Sequence, residues 1–259
     1  MLDTQYRMHR DICSFSSGEF YGGKLKTGVL DAARPMFSSQ FPWPPKSRMV
    51  FVECGEREEM WQKSKFNKGQ AKLCAEICEL LSSAEPPLKA QEEATAPKPF
   101  SEANKLAAAK GALLAPIPRE LEKKPAQPSA QTTTTNTFSI AVLTPYTKQV
   151  ELLKQTLSKF SQVEVCSIDG FQGREADIVV FVTVRCNEHH DIGFLKDMRR
   201  LNVALTRAKT GVIVIGNKAT LTLGTADPES AAVWKRLLEC LEEVRLEEQP
   251  RIAKNSRKE

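Results

Sequence analysis

The sequence is short of the residues that build closed chemical centres. Its seven cysteines, at 13, 54, 74, 78, 166, 186 and 240, are odd in number and include no Cys-x-x-Cys pair. That pattern speaks against a disulfide framework and for reduced thiols. Only three histidines occur. Two of them, His189 and His190, follow Cys186 closely, but a fourth ligand is missing nearby, so no metal centre is expected. No apolar run approaches the roughly 20 residues needed to span a bilayer, and residues 1–7 lack the apolar centre of a signal peptide. The expected setting is intracellular, cytoplasmic or nuclear, without membrane contact. No G-x-x-x-x-G-K-S/T segment occurs anywhere in the sequence, so nothing here cradles a β-phosphate. No strand ending in Asp-Glu is placed to hold a magnesium ion, and no clustered Asp/Glu set suggests a nuclease.

What the chain does hold is enough for a core: 259 residues, 41% hydrophobic, with a net charge of +5. The mild basicity is compatible with a polyanionic partner and equally with a plain surface excess of Lys and Arg. Four apolar, β-branched runs read as strands covered on both faces: Met49–Glu53, Ile140–Thr144, Ile178–Val184 and Val212–Gly216. A shorter run, Val163–Ile168, makes a fifth. Between them lie helical spacings. Asn67–Ser82 carries Ala71, Cys74, Ile77, Cys78 and Leu81 on one face, and Tyr146–Phe160 carries Val150, Leu153 and Leu157. The spacing also predicts a helix over Asp197–Lys209, with Leu201, Ala204, Leu205 and Ala208 inward. Strand–helix alternation of this kind predicts an α/β, doubly wound, mostly parallel sheet.

Residues 84–137 differ in kind. They contain eight of the fifteen prolines, a Gln-Thr-Thr-Thr-Thr-Asn tract and few large apolar residues. Such a segment cannot bury enough surface to offset its ordering entropy, which predicts a flexible low-complexity insertion. The chain is therefore expected to divide into residues 1–83 and 138–246, two parts of one domain, with a charged tail over 247–259.

Four segments carry chemistry. Gln5-Tyr6-Arg7-Met8-His9 opens a helical stretch and, taken alone, could be any surface helix start. Leu143-Thr144-Pro145-Tyr146 breaks a buried strand into a helix at a carboxyl end, where open α/β sheets bind ligands. Ser167–Glu175 places two glycines, a carboxylate, an amide and a hydroxyl between two strands. Arg199–Lys209 puts Arg200 and Arg207 two helical turns apart, on one face.

In this order, the segments resemble the second RecA-like domain of superfamily 1B helicases of the up-frameshift-like group, over residues 2–83 and 138–240. Asp197–Ala208 looks like motif VI, Ser167–Glu175 like motif V, Leu143–Tyr146 like motif IV, and Gln5-Tyr6-Arg7 like the motif between III and IV. The resemblance implies a RecA-like fold of the P-loop NTPase type and a share in ATP hydrolysis. It implies that Arg207 is an arginine finger on the γ-phosphate, with Arg7 as a second phosphate-contacting arginine. By the same resemblance Tyr6 stacks near the adenine, while Gly173 and Glu175 organise the nucleotide. Thr144, Pro145, Ser167 and Gln172 would lie along a single strand of RNA or DNA, with translocation running 5′ to 3′. ATP, with its Mg²⁺ held by a first RecA-like domain absent from this sequence, is the implied cofactor, and that domain is an implied partner. The chain alone is then expected to be inactive. The rival expectation is a non-enzymatic interaction module that binds nucleic acid or protein.

Overall fold

The computed structural model describes residues 3–83, 138–224 and 227–246. The predicted insertion and tail lie outside the described residues. In chain order, a two-residue strand β1 (Thr4–Gln5) leads to helix α1 (Arg10–Tyr21) and returns through β2 (Lys26–Thr27) to pair with β1. Strand β3 (Met49–Glu53) precedes a hairpin of β4 (Glu59–Trp61) and β5 (Ser64–Phe66), then helix α2 (Lys68–Ser82). The second part runs β6 (Ile140–Thr144), α3 (Thr147–Thr156), β7 (Val163–Ser167), β8 (Ala176–Val182), α4 (Met198–Leu205) and β9 (Ala208–Gly216). It closes with α5 (Lys218–Thr222), α6 (Pro228–Cys240) and β10 (Glu242–Glu243).

Six strands form one sheet in the order β10-β3-β9-β8-β6-β7, and every pairing in it is parallel. Strands from before residue 84 and after residue 137 share it, since β3 pairs with β9 from Met49↔Val212 to Glu53↔Gly216. Alternation along the strands divides the core into two layers, because successive side chains leave opposite faces. Val50, Val52, Val142, Val180 and Ile213 meet α2 and α3 through Cys74, Ile77, Leu81 and Leu153. Phe51, Leu143, Phe181 and Val214 meet α1, α4 and α6 through Ile12, Leu205, Trp234 and Leu237. The fold is therefore the expected RecA-like, doubly wound α/β sheet.

Local chemistry sets the helix starts. Asn67 caps α2, its side chain accepting from Gln70 N at 2.9 Å. Asp197 caps α4 by accepting from the amides of Arg199 and Arg200, and Asp227 caps α6 ahead of Pro228 at a first-turn position. Gly22 ends α1 in the left-handed region, with φ of +58°.

Two expectations need correction. The helix predicted to run through Lys209 stops at Leu205, and β9 begins at Ala208. Ladder pairing takes over there, because the Arg207 carbonyl accepts from Ala176 N at 3.0 Å. Arg200 and Arg207 therefore do not share a helix face. At the start of the chain, Gln5 is extended and the helix begins only at Arg10, so Tyr6 and Arg7 sit in a bend before it.

Candidate functional site

The resemblance-derived residues divide between the two ends of the sheet. At the amino end stand Arg7, Glu175 and Arg207, the last two directly preceding β8 and β9. The bend that presents Arg7 is fixed by Gln5, whose Oε1 accepts from the amides of Arg7 and Met8, both at 2.7 Å. Gln5 Nε2 is spent on Met8 O at 2.8 Å and Thr27 Oγ1 at 2.6 Å. His9 N donates to Lys209 O at 2.8 Å and seats the bend against β9.

So held, Arg7 donates from Nε to Glu175 Oε2 at 2.7 Å and from Nη1 to Thr206 O at 3.0 Å. Lys209 reaches the other oxygen, Glu175 Oε1, at 3.0 Å. Arg207 lies beside them and is held by main chain and hydroxyl: Nε to Val203 O at 3.2 Å, Nη2 to Thr206 Oγ1 at 3.3 Å and Nη1 to Arg174 O at 3.5 Å. Among the described residues it forms no ion pair. Burial, and then the charge of Arg7, push the pKa of Arg207 down. The Arg7 hydrogen bond, followed by Lys209, pulls that of Glu175 down. Three cations thus face one carboxylate, an imbalance that an anionic group would relieve.

Tyr6 stands at the rim, 72% exposed. Its ring lies on Gly28, where a Cβ would come within 2.3 Å of Tyr6 Cε1, so one ring face is supported and the phenol projects outward. Gly173 holds a φ of +81°, a conformation that glycine adopts without strain, and it turns the chain into Arg174 and Glu175. Arg174 is turned away from the cluster: it pairs with Glu164, and its guanidinium lies 4.8 Å from the centre of the Phe171 ring.

The predicted strand contacts gather elsewhere. Thr144 and Ser167 are paired neighbours at the carboxyl ends of β6 and β7. Ser167 Oγ accepts from Gly170 N at 3.1 Å. Pro145 is half-buried and Gln172 exposed, but Thr144 is wholly buried, its hydroxyl without a partner among the described residues. A direct surface contact through Thr144 is thus corrected to a place beneath the surface. Arg200 belongs to this side too, donating to both oxygens of Asp169 at 3.2 and 3.0 Å and so tying the motif V turn to α4.

Two charged side chains of these arrangements were not singled out in the sequence. One is Lys209, visible only once β9 is known to begin at Ala208. The other is the buried arginine Arg185, which pairs with Glu58 and Asp191 and carries no motif signal in the chain. Cys186, His189 and His190 are not gathered: the Cys186 thiol faces Gly55 O at 3.5 Å. Among the described residues no group of three His, Cys, Asp or Glu side chains is placed to hold a metal ion. Nor is any helix among them long and apolar enough to cross a membrane.

A parallel α/β sheet with helices on both faces, and arginines converging at its amino end, defines the class of fold as RecA-like. The comparisons agree: the chain matches the AAA domain family (AAA_12) over residues 1–94 and 117–219. It is 34% identical over 246 residues to the putative regulator of nonsense transcripts 1 of Takifugu rubripes, covering 92% of this chain and 17% of that protein. Identity to the Neurospora crassa regulator of nonsense transcripts 1 homolog is 35% over 229 residues, covering 85% of this chain and 17% of that one. Against the ATP-dependent helicase NAM7 of Saccharomyces cerevisiae it is 32% over 248 residues, covering 92% and 20%. The chain belongs to the up-frameshift-like helicases of superfamily 1B, and it spans about a fifth or less of the length of these relatives. The C-terminal domain of a possible DNA helicase from a Lactobacillus superposes with a TM-score of 0.44 at 9% identity, covering 92% of this chain and 98% of that one, a likeness too distant to bear on function.

Proposed function

We propose that this domain is the second RecA-like half of an ATP-dependent RNA or DNA helicase, and that it supplies arginine fingers to a nucleotide bound by a first RecA-like domain. The observation that supports this most is the pair Arg7 and Arg207, which converge beside Glu175 while Arg207 is held by neutral acceptors alone. A guanidinium held that way is oriented yet electrostatically unsatisfied. Phosphoryl transfer is accelerated chiefly by positioning and by stabilising charge on the γ-phosphate oxygens, which such a fork suits. Tyr6 would support the base, while Glu175 and Gly173 order the nucleotide's sugar side. Pro145, Ser167 and Gln172 would follow the single strand, with Thr144 backing them from below. Magnesium would be held by the first domain.

The test is turnover in a protein that joins this chain to a first RecA-like domain from a relative. Arg207→Ala should lower ATPase rate by about 10³-fold or more, with nucleotide affinity changed far less. Arg207→Lys should rescue poorly, because one ammonium does not reproduce the planar fork. Near-normal turnover in Arg207→Ala would remove the chemical basis of the reading.

A further inference from the structure

At the carboxyl end of the sheet the chain leaves β8 through Val184, whose φ of +71° is rare for a β-branched residue. Strain of this kind persists only where its surroundings fix it. Here Gln70 Oε1 accepts from Val184 N at 2.7 Å, and Asn67 Nδ2 donates to Val184 O at 3.1 Å; both side chains are wholly buried. The turn sends Arg185 inward, to Asp191 Oδ2 at 2.6 Å and Glu58 Oε1 at 3.3 Å. Its side chain is 3% exposed, and its Nε has no partner among the described residues.

Arg185 forms the floor of a cleft of about 350 Å³. Tyr146 and Phe194 line one part of it, their rings 5.3 Å apart, with Phe194 54% exposed. Lys63 and Lys196 line it as well, and among the described residues neither forms an ion pair. Gly193 leaves the room: a Cβ there would lie 2.8 Å from both Arg185 Nη1 and the Tyr146 hydroxyl. The β4–β5 hairpin, which contributes Lys63, also carries Trp61, 56% exposed, with Lys148 Nζ 5.5 Å from its ring centre. Free cations beside solvent-facing rings, on a rigid and strained frame, are what a single-stranded polynucleotide uses: phosphates on the ammonium groups, bases on the rings.

We infer that this cleft seats a nucleotide of the single strand, its phosphate on Lys63 and Lys196 and its base on Phe194, with Trp61 stacking a neighbouring base. This rests on the reading that the domain binds a single strand, and it adds the hairpin and the Phe194 loop to that surface.

The experiment is fluorescence anisotropy of the 259-residue chain with short labelled oligo-U and oligo-dT. Phe194→Ala is expected to weaken binding about tenfold, and Trp61→Ala by a similar factor. Lys63→Glu with Lys196→Glu should weaken it further and flatten its salt dependence. Oligonucleotide should quench tryptophan emission in the parent chain and far less in Trp61→Phe. Circular dichroism melts are expected to match the parent, since all four positions are on the surface of loops or the hairpin. If the parent binds while these variants bind within about twofold of it, the cleft assignment is overturned and strand binding stands. If the parent binds neither oligonucleotide, strand binding by this domain falls, and the cleft assignment falls with it.

Discussion

The two ends of the sheet solve the same problem, placing an arginine, in opposite ways. At the amino end, Arg7 is 30% exposed and Glu175 43% exposed in their side chains, and Arg207 leans on carbonyl oxygens. At the carboxyl end, Arg185 is 3% exposed and Glu58 7%, and a strained valine fixes the approach. The first arrangement is open and incompletely compensated, as suits a site finished by another domain. The second is closed by partners within this chain, so its charge serves architecture, and the proposed strand contact falls to the cleft above it. Burial rather than charge separates them.

The sharpest way to break that contrast is to remove the carboxylate at each end. Glu58 accepts from Cys186 N at 2.6 Å and Asn187 Nδ2 at 3.1 Å, and pairs with Lys65 at 2.5 Å as well as with Arg185. Glu58→Ala leaves a buried guanidinium with the half-exposed Asp191 as its one remaining carboxylate among the described residues, beside the neutral Tyr146 hydroxyl at 3.4 Å, and should cost about 3 kcal/mol in urea unfolding. A loss near zero would mean that Arg185 can reach solvent and that the cleft floor is soft.

How far these ends were legible in the sequence follows from the same distinction. The parallel strands could be read because burial on both faces demands uninterrupted apolar runs, and Val142, Val180 and Ile213 sit in such runs. Arg7, Glu175 and Arg207 were singled out by resemblance and lie together in the structure, although the register around Arg207 was misread. Leu201, Ala204, Leu205 and Ala208 continue a helical spacing, while the turn at Thr206 depends on pairing with Ala176, a partner distant in the chain. The carboxyl-end cleft was not legible. Its parts come from residues 63–65, 146, 185–196, 224 and 227, and neither the positive φ of Val184 nor the inward turn of Arg185 leaves a trace in local composition. Helix α6 was not among the helical spacings read from the sequence, and its role in covering the sheet depends on Trp234, which packs parallel to Phe181 with ring centres 6.2 Å apart.

A smaller effect is expected at Arg200, which the helical spacing had paired with Arg207. Its bidentate bond to Asp169 is on the surface, with side chains 40% and 67% exposed, so Arg200→Ala should cost less than about 1 kcal/mol. In the joined two-domain protein it should lower ATPase rate by no more than about tenfold, against about 10³-fold for Arg207→Ala. Equal losses in the two variants would place both arginines at the nucleotide and contradict their separation, Arg200 on α4 and Arg207 in the turn into β9.

The smallest effect lies at Glu175, and its sign is fixed by the direction of its pKa. Hydrogen bonds from Arg7 and then Lys209 hold that carboxyl below its ordinary value. The native state therefore binds fewer protons there than the unfolded chain. The resulting stabilisation is fully present above the unfolded value of about 4.3 and is lost as pH falls through the lower, folded one. Because the pair is nearly half exposed, solvent screening should keep the whole contribution under about 0.5 kcal/mol. Glu175→Gln should thus leave the neutral-pH unfolding midpoint almost unmoved and slightly flatten the acid limb. Carboxyl NMR gives the more sensitive reading: Arg7→Ala should raise the midpoint of Glu175. A Glu175 midpoint that does not move in Arg7→Ala would mean that Arg7 does not gather on it in solution. A Glu175→Gln loss as large as that of Glu58→Ala would show that the amino end is as closed as the other, and the distinction between a site completed from outside and one built from within would fail.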